Sequence, residues 1–245
     1  MRLPKTYLVL LLFALCGKAF AQTDSAAVVI DRYLALLNHD DLNWKTVRIK
    51  STVTNNINSD TIYMERRFAF PGYSFVEITR NGNVMDGYFA NGDECITYDE
   101  KTKEWVVMAK DRYDKMMEGY DVRGPLFNWH NRDVKAKYLG VSTFEGNQGY
   151  VVSVIDPERN PRNYLFETTT GYLFLIVEQK PENDDKKQVQ KVQIPTVDWR
   201  AIHEYTPVGG YLFPTLESYQ VGNTIIIVSS QVEIVPFSEK DFQKP

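Results

Sequence analysis

From Thr46 to Ile234 the chain keeps returning to an apolar–polar alternation of period two, cut at short intervals by turn-forming residues. Successive side chains on a strand point to opposite faces, so this rhythm confines the chain to pleated sheet with short connections. Within residues 46–54, Val47, Ile49 and Val53 share one face with Ser51, while Arg48, Lys50, Thr52 and Thr54 take the other. One face is then apolar and the other wet, as in an antiparallel sheet. The same signals predict further strands at 61–70, 73–80, 84–90, 94–98, 104–109, 134–141, 149–155, 163–167, 172–179, 189–194, 197–205, 212–220 and 224–234. Turns are marked by Asn81-Gly82-Asn83, Asn91-Gly92-Asp93, Thr169-Thr170-Gly171, Gly209-Gly210 and Gly222-Asn223. Residues 181–187 are a charged tip, read as a solvated loop.

Two stretches break the rhythm. In residues 23–38, Ile30, Tyr33, Leu34 and Leu37 fall at helical spacing, with Ala26 and Ala27 one turn earlier and Thr23, Asp24 or Ser25 as the cap. Residues 110–118 tolerate a helix with Tyr113, Met116 and Met117 on one side; Gly119 ends it and Gly124-Pro125 delays the next element. No linker is long enough to divide two domains, which predicts one antiparallel meander interrupted by one helical excursion.

Residues 1–21 read as an export signal: Arg2 and Lys5 lead, an apolar run from Tyr7 to Leu15 follows, and Ala19-Phe20-Ala21 forms the small-x-small cleavage pattern. The run is shorter than the ~20 apolar residues a spanning helix needs. Cleavage after Ala21 leaves residues 22–245 as a single domain working in the periplasm. Three of the 28 basic residues and none of the 32 acidic ones lie in the signal, so the remainder carries 25 against 32. That balance opposes nucleic-acid binding, which leaves a basic footprint. Cys16 lies in the signal behind Leu15, where lipidation would want a small residue, and Cys95 alone cannot form an internal bridge.

Catalytic patterns are missing. His39, His130 and His203 have no second histidine at ligand spacing. Cys95 follows Asp93-Glu94, acids that would raise a thiol pKa, so it reads as a buried strand residue. There is no Gly-x-Ser-x-Gly elbow and no glycine-rich loop between a strand and a helix. Adjacent acids at Asp99-Glu100 and Asp184-Asp185 lie in expected turns. The expectation is a protein that is not an enzyme and takes no cofactor or metal.

The order of several fragments resembles the LolA/LolB-like superfamily of outer-membrane lipoprotein-sorting-protein-like chains. These are Ile30-Asp31-Arg32-Tyr33-Leu34, Pro71-Gly72-Tyr73-Ser74-Phe75, Asn91-Gly92-Asp93 with Tyr98-Asp99 and Trp105, Gly124-Pro125-Leu126, Tyr211-Leu212-Phe213-Pro214 and Phe242-Gln243-Lys244-Pro245. The resemblance implies a mainly β fold: an antiparallel half-open β-barrel with an N-terminal helix and a mid-chain helical lid on the concave face. It also implies carriage or receipt of acylated lipoproteins, lipid sensing or envelope-stress regulation, without catalysis. The chain departs from lipoprotein carriers at Phe70, where they have an arginine that helps fasten the lid; Arg66 and Arg67 are near but not equivalent.

Strand parity and the helical excursion then nominate an apolar lining for an acyl chain: Val47, Ile49, Met64, Phe68, Val76, Ile78, Ile96 and Tyr98, with Tyr113, Met116 and Met117 from the lid. Each methylene buried there contributes ~0.8 kcal/mol, and methionines re-pack around varied ligands. The expected role is a monomeric periplasmic carrier for the acyl chain of a lipid or lipoprotein, in lipoprotein sorting or envelope lipid handling. The alternative is an envelope sensor or scaffold with a protein partner.

Overall fold

The computed structural model describes residues 25–42, 45–70, 72–92, 94–117, 122–131, 133–155, 161–178 and 199–243, with the backbone alone for 114–117. The signal segment and the strand expected at 189–194 lie outside the described residues, as does the tip at 181–187. No helix among the described residues is long and apolar enough to cross a membrane.

The first element is helix α1 (Ala26–Leu37). Ser25 caps it by accepting from the Val28 N–H, and Asn38 closes it in the left-handed region with its own N–H bonded to Leu34 O. Of the three cap candidates, Ser25 is therefore the cap. Ala26, Val29, Ile30, Tyr33 and Leu37 are buried along one stripe, which is the helical period read as packing.

Six strands follow: β1 (Lys45–Asn55), β2 (Ile62–Ala69), β3 (Tyr73–Arg80), β4 (Asn83–Asn91), β5 (Cys95–Asp99) and β6 (Glu104–Val107). Helix α2 (Lys110–Met117) and a 3-10 turn at Trp129–Asn131 interrupt them. Seven more follow among the described residues: β7 (Lys135–Phe144), β8 (Asn147–Ile155), β9 (Arg162–Glu167), β10 (Leu173–Glu178), β11 (Trp199–Val208), β12 (Tyr211–Val221) and β13 (Thr224–Pro236). The expected strand at 104–109 stops at Val107 because Met108 turns inward to a core with Ala90, Cys95 and Tyr113. The β3–β4 hairpin turns on Asn81 and Gly82, both at positive φ, which is the two-residue turn whose twist matches the strands it joins.

All thirteen strands form one antiparallel sheet, in the order β6-β5-β4-β3-β2-β1-β13-β12-β11-β10-β9-β8-β7. The sheet does not close, since β6 and β7 are its two edges. Both edges carry features that discourage further pairing. β6 has four residues, and β7 has Lys135, Lys137 and a register shift at Gly140, whose φ is +114°.

The connection from β6 to β7, residues 108–134, has to pass from one edge of the sheet to the other. Its described parts pack on a single face. Tyr113 packs with Ala90 and Cys95, Val122 with Val47, Ile49 and Phe213, and Leu126 and Trp129 with α1. Helix α1 lies on that same face and comes into backbone contact with β7, β8 and β12. Beneath it Phe166, Leu173, Ile176 and Ile202 fill the floor. The opposite face is covered near β2–β5 by the C-terminal turn, where Phe237 and Phe242 pack with Tyr73, Phe75, Phe89 and Ile96. Arg48 holds Asp241 of that turn at 2.6 Å.

Phe166 is fully buried, with its ring centroid 5.4 Å from that of Tyr33. Replacing it by alanine removes its ring contact with Tyr33 of the helix and leaves a cavity in the core beneath α1. Phe166→Ala is expected to cost about 3–5 kcal/mol, measured as a lowered midpoint in urea.

Candidate functional site

The register places one continuous surface under the crossing segment. A first row of cross-strand neighbours runs Val47, Phe68, Ser74, Ala90 and Cys95. A second runs Ile49, Arg66, Val76, Tyr88 and Thr97. A third runs Ser51, Met64, Ile78 and Asp86. Val47, Ile49, Phe68 and Val76 are all buried, and Val47 and Ile49 also touch Phe213 of β12.

Six of the eight strand residues nominated from parity, Val47, Ile49, Met64, Phe68, Val76 and Ile78, therefore do share a face. Ile96 and Tyr98 do not. Ile96 pairs with Phe89 in the row of Arg48, Arg67 and Phe75, and Tyr98 packs edge-on to Trp105, so both belong to the opposite face. The physical reason is that β5 is buried on both sides, by Tyr113 on one and Phe242 on the other, so apolarity there carries no facing information. Tyr113 reaches the first row, with its hydroxyl bonded to Ser74 Oγ. Met116 and Met117 belong to the backbone of α2, and their side chains lie outside the described residues.

The same face is not uniformly apolar. On its C-terminal half Arg162 donates to Glu178 at 3.1 Å. Arg200 donates from both Nε and Nη2 to Oε1 of Glu217, the first at 2.7 Å, and its guanidinium lies 5.4 Å from the centre of the Tyr219 ring. The Tyr219 hydroxyl donates to Glu217 Oε2. Arg66, in the second row, donates to Ser51 Oγ at 3.3 Å. These groups meet at a cavity of about 140 Å³ whose lining includes Tyr33, Ile49, Arg66, Arg162, Arg200 and Glu217. Glycine and proline of the crossing segment, Gly124 and Pro125, close one side.

Burial disfavours the Arg200 charge, but Glu217 and Tyr219 more than offset it, and the guanidinium is held above its ordinary value. Burial pushes the Tyr33 phenol up to about 12, against a weaker opposing effect of the Tyr205 hydroxyl beside it. Burial likewise raises Tyr205.

Besides the Tyr113 bond to Ser74, described residues of the crossing segment are held by two further sets of contacts. The Arg123 guanidinium sits between the Phe70 ring at 3.8 Å and the Phe127 ring at 3.9 Å. Further on, the Trp129 indole and His130 both reach Asp31 Oδ1 of α1, at 3.2 and 3.0 Å. At Phe70 the strand thus supplies the aromatic ring and the crossing segment supplies the arginine.

Sequence reasoning missed Arg162, Arg200, Glu217 and Tyr219, because pairing across strands needs the register. Arg66 was within reach: it has the same parity as Met64 and Phe68 on β2 and so must face the same way. The histidines are more engaged than isolated side chains would be. His39 is buried against Phe213 with Nε2 2.9 Å from Leu212 O, and His203 meets Ser218 Oγ at 2.7 Å. Cys95 is buried. Among the described residues no group of three or more His, Cys, Asp or Glu side chains could hold a metal ion.

The sequence matches no family model, and no curated protein sequence matches it significantly. The fold has clear counterparts among solved structures. A DUF1329 family protein from Desulfovibrio piger superposes with a TM-score of 0.60 at 10% identity, covering 90% of this chain and 98% of that one. An outer membrane lipoprotein-sorting protein domain from Vibrio parahaemolyticus gives 0.57 at 9% identity, with 89% and 97% covered. A LolA superfamily protein from Nitrosomonas europaea gives 0.56 at 9% identity, with 91% and 99% covered. The chain therefore has a LolA-like fold, a mainly β sheet that does not close.

The raised Tyr33 phenol has a pH consequence. A proton bound more tightly in the fold stabilises it fully below the ordinary value of 10.0 and ceases to do so as pH rises through about 12. Stability is expected to fall across that window, and Tyr33→Phe is expected to make the fall shallower, as read by urea midpoints at successive alkaline pH values.

Proposed function

We propose that the protein is a periplasmic binding or carrier protein that holds the acyl chain of a lipid or lipoprotein between the sheet and the segment 108–134. The observation that carries this is the apolar surface of Val47 and Ile49 lying beneath Val122 of a segment that is not part of the sheet, continued along the register by the buried Phe68 and Val76. Buried hydrocarbon on such a surface contributes ~0.8 kcal/mol per methylene. Residues 1–21 deliver the chain to the periplasm, where an acyl group in transit between membranes needs shelter from water. The segment 108–134 acts as the lid of a trough, and the protein works as a monomer without a cofactor and without catalysing a reaction. LolA-like solved structures that include a lipoprotein-sorting domain support the reading through the fold.

The cavity at about 140 Å³ is below the ~300–1,000 Å³ of ordinary small-ligand pockets. The lid must therefore swing away for a chain to enter, and the Arg123–Phe70 contact is one of the fastenings that have to break. A cation–π contact of this kind contributes about 0.5–2 kcal/mol, small enough to open on binding. The same small cavity favours a second reading, in which the covered trough stays shut and the protein serves as a sensor or scaffold with an envelope protein partner.

Mass spectrometry under native conditions on protein gently extracted from the periplasm is expected to show bound lipid, and a fluorescent fatty-acid probe is expected to bind. Ile49→Phe, which fills the cavity, should weaken probe binding at least about tenfold, a loss near 1.4 kcal/mol. Protein that carries no lipid and takes up no probe sinks the carrier reading, and crosslinking in cells to one dominant protein would then establish the scaffold.

The lid is testable separately. Arg123→Ala should speed probe association and raise hydrogen exchange in residues 108–134 relative to the β1–β13 ladder. Unchanged exchange and association would show that this contact does not hold the lid.

A further inference from the structure

The ionisable groups around the cavity are unequal. Among the described residues that line it, Arg66, Arg162 and Arg200 supply guanidinium groups, and Glu217 supplies the carboxylate. Glu217 is fully used, with Oε1 taken by Arg200 and Oε2 by Tyr219. An arginine has five N–H donors. Arg200 directs two nitrogens, Nε and Nη2, at one oxygen, and its Nη1 bonds to no described residue. Among the described residues Arg162 bonds only through Nη2, on Glu178. Both belong to the helix-covered face: Arg162 pairs with Glu178 on β10, and Arg200 pairs with Ile176 two residues earlier on that strand.

Partly buried ion pairs of this kind contribute little to stability over apolar packing. Placed beside an apolar surface, spare guanidinium donors are suited to an oxyanion, which arginine binds with two parallel N–H bonds. We propose that the cavity is an oxyanion subsite in which Arg162 and Arg200 receive the carboxylate or phosphate end of an amphiphile, with its hydrocarbon running along the rows of Val47 and Ile49. The cavity has the size for such a head, since about 140 Å³ equals a handful of waters at roughly 30 Å³ each. A cation is disfavoured there by the arginines, and a neutral head would leave the remaining donors of Arg162 and Arg200 unmatched.

This rests on the acyl-chain reading, and one experiment separates the two. Decanoate, decyl phosphate and decanol are titrated calorimetrically into the full mature protein, each below its aggregation limit. Wild type is expected to bind at least one of the two anionic probes about tenfold or more tightly than decanol. Arg162→Met is expected to reduce that preference to within about threefold while leaving decanol binding unchanged, with part of it restored in Arg162→Lys. The tighter of the two anionic probes identifies a phosphate or a carboxylate head. Equal binding of all three probes by wild type overturns the subsite and leaves the acyl-chain reading standing. Binding of none overturns the acyl-chain reading itself. Should Arg162→Met fail to fold, the wild-type comparison of decanoate, decyl phosphate and decanol still decides the question.

Discussion

The pairing of β1 with β13 runs from Lys45 opposite Pro236 to Asn55 opposite Ile226, and it turns two meanders into one sheet. The strands that are first and last in the chain become central, and β6 and β7, neighbours in sequence, become opposite edges. The connection between them then has no route except across a face. A long-range ladder therefore creates the covering segment, and with it any trough the protein can offer. The ladder also mixes register rows: Val47 meets Ile234 and Ile49 meets Val232, so apolar residues from both ends of the chain meet beneath Val122.

Coverage of the two faces is divided between the termini. Helix α1 and the crossing segment lie on one side, and the C-terminal turn with Phe237 and Phe242 lies on the other. The ends of β2–β5 near Phe68–Ala69, Phe75–Val76, Phe89–Ala90 and Cys95–Ile96 are consequently buried on both faces, which is more typical of sheets sandwiched between layers than of a solvent-backed sheet. This explains why Ile96 and Tyr98 looked like lining and are not.

What the sequence made legible follows from how far each signal reaches along the chain. Period two and turn residues are local, so the described strands and the Asn81-Gly82 hairpin could be read directly, as could the stripe of Ile30, Tyr33 and Leu37 on α1. Facing was legible only where one side of a strand is polar, as on β1 with Arg48 and Lys50 opposite Val47 and Ile49. The charged part of the candidate site was illegible for a different reason. Arg200 and Glu217 are seventeen positions apart and meet only through the β11–β12 register, which contains shifts between Ile202 and Tyr205. No local pattern encodes that alignment, and charged residues in strands read by default as solvent-facing.

The exchange of roles at Phe70 bears on how such a lid can work. An arginine on the sheet would be a fixed charge at the mouth of the trough, left in place and needing a new partner once the lid departs. Here the charge belongs to Arg123 on the crossing segment; under the proposed lid opening it would leave with the segment, and Phe70 would stay behind as apolar surface beside Phe68, Val47 and Ile49. Opening the lid would then enlarge the apolar wall instead of exposing an unpaired cation against hydrocarbon, a placement that burial penalises heavily. The fixed charges of the sheet at the cavity are Arg66, which bonds Ser51, and Arg162, Arg200 and Glu217, each of which has an ionic partner. A trough with a mobile charge at the rim and paired charges at the floor can admit a tail along its wall while keeping polar contacts available for a head.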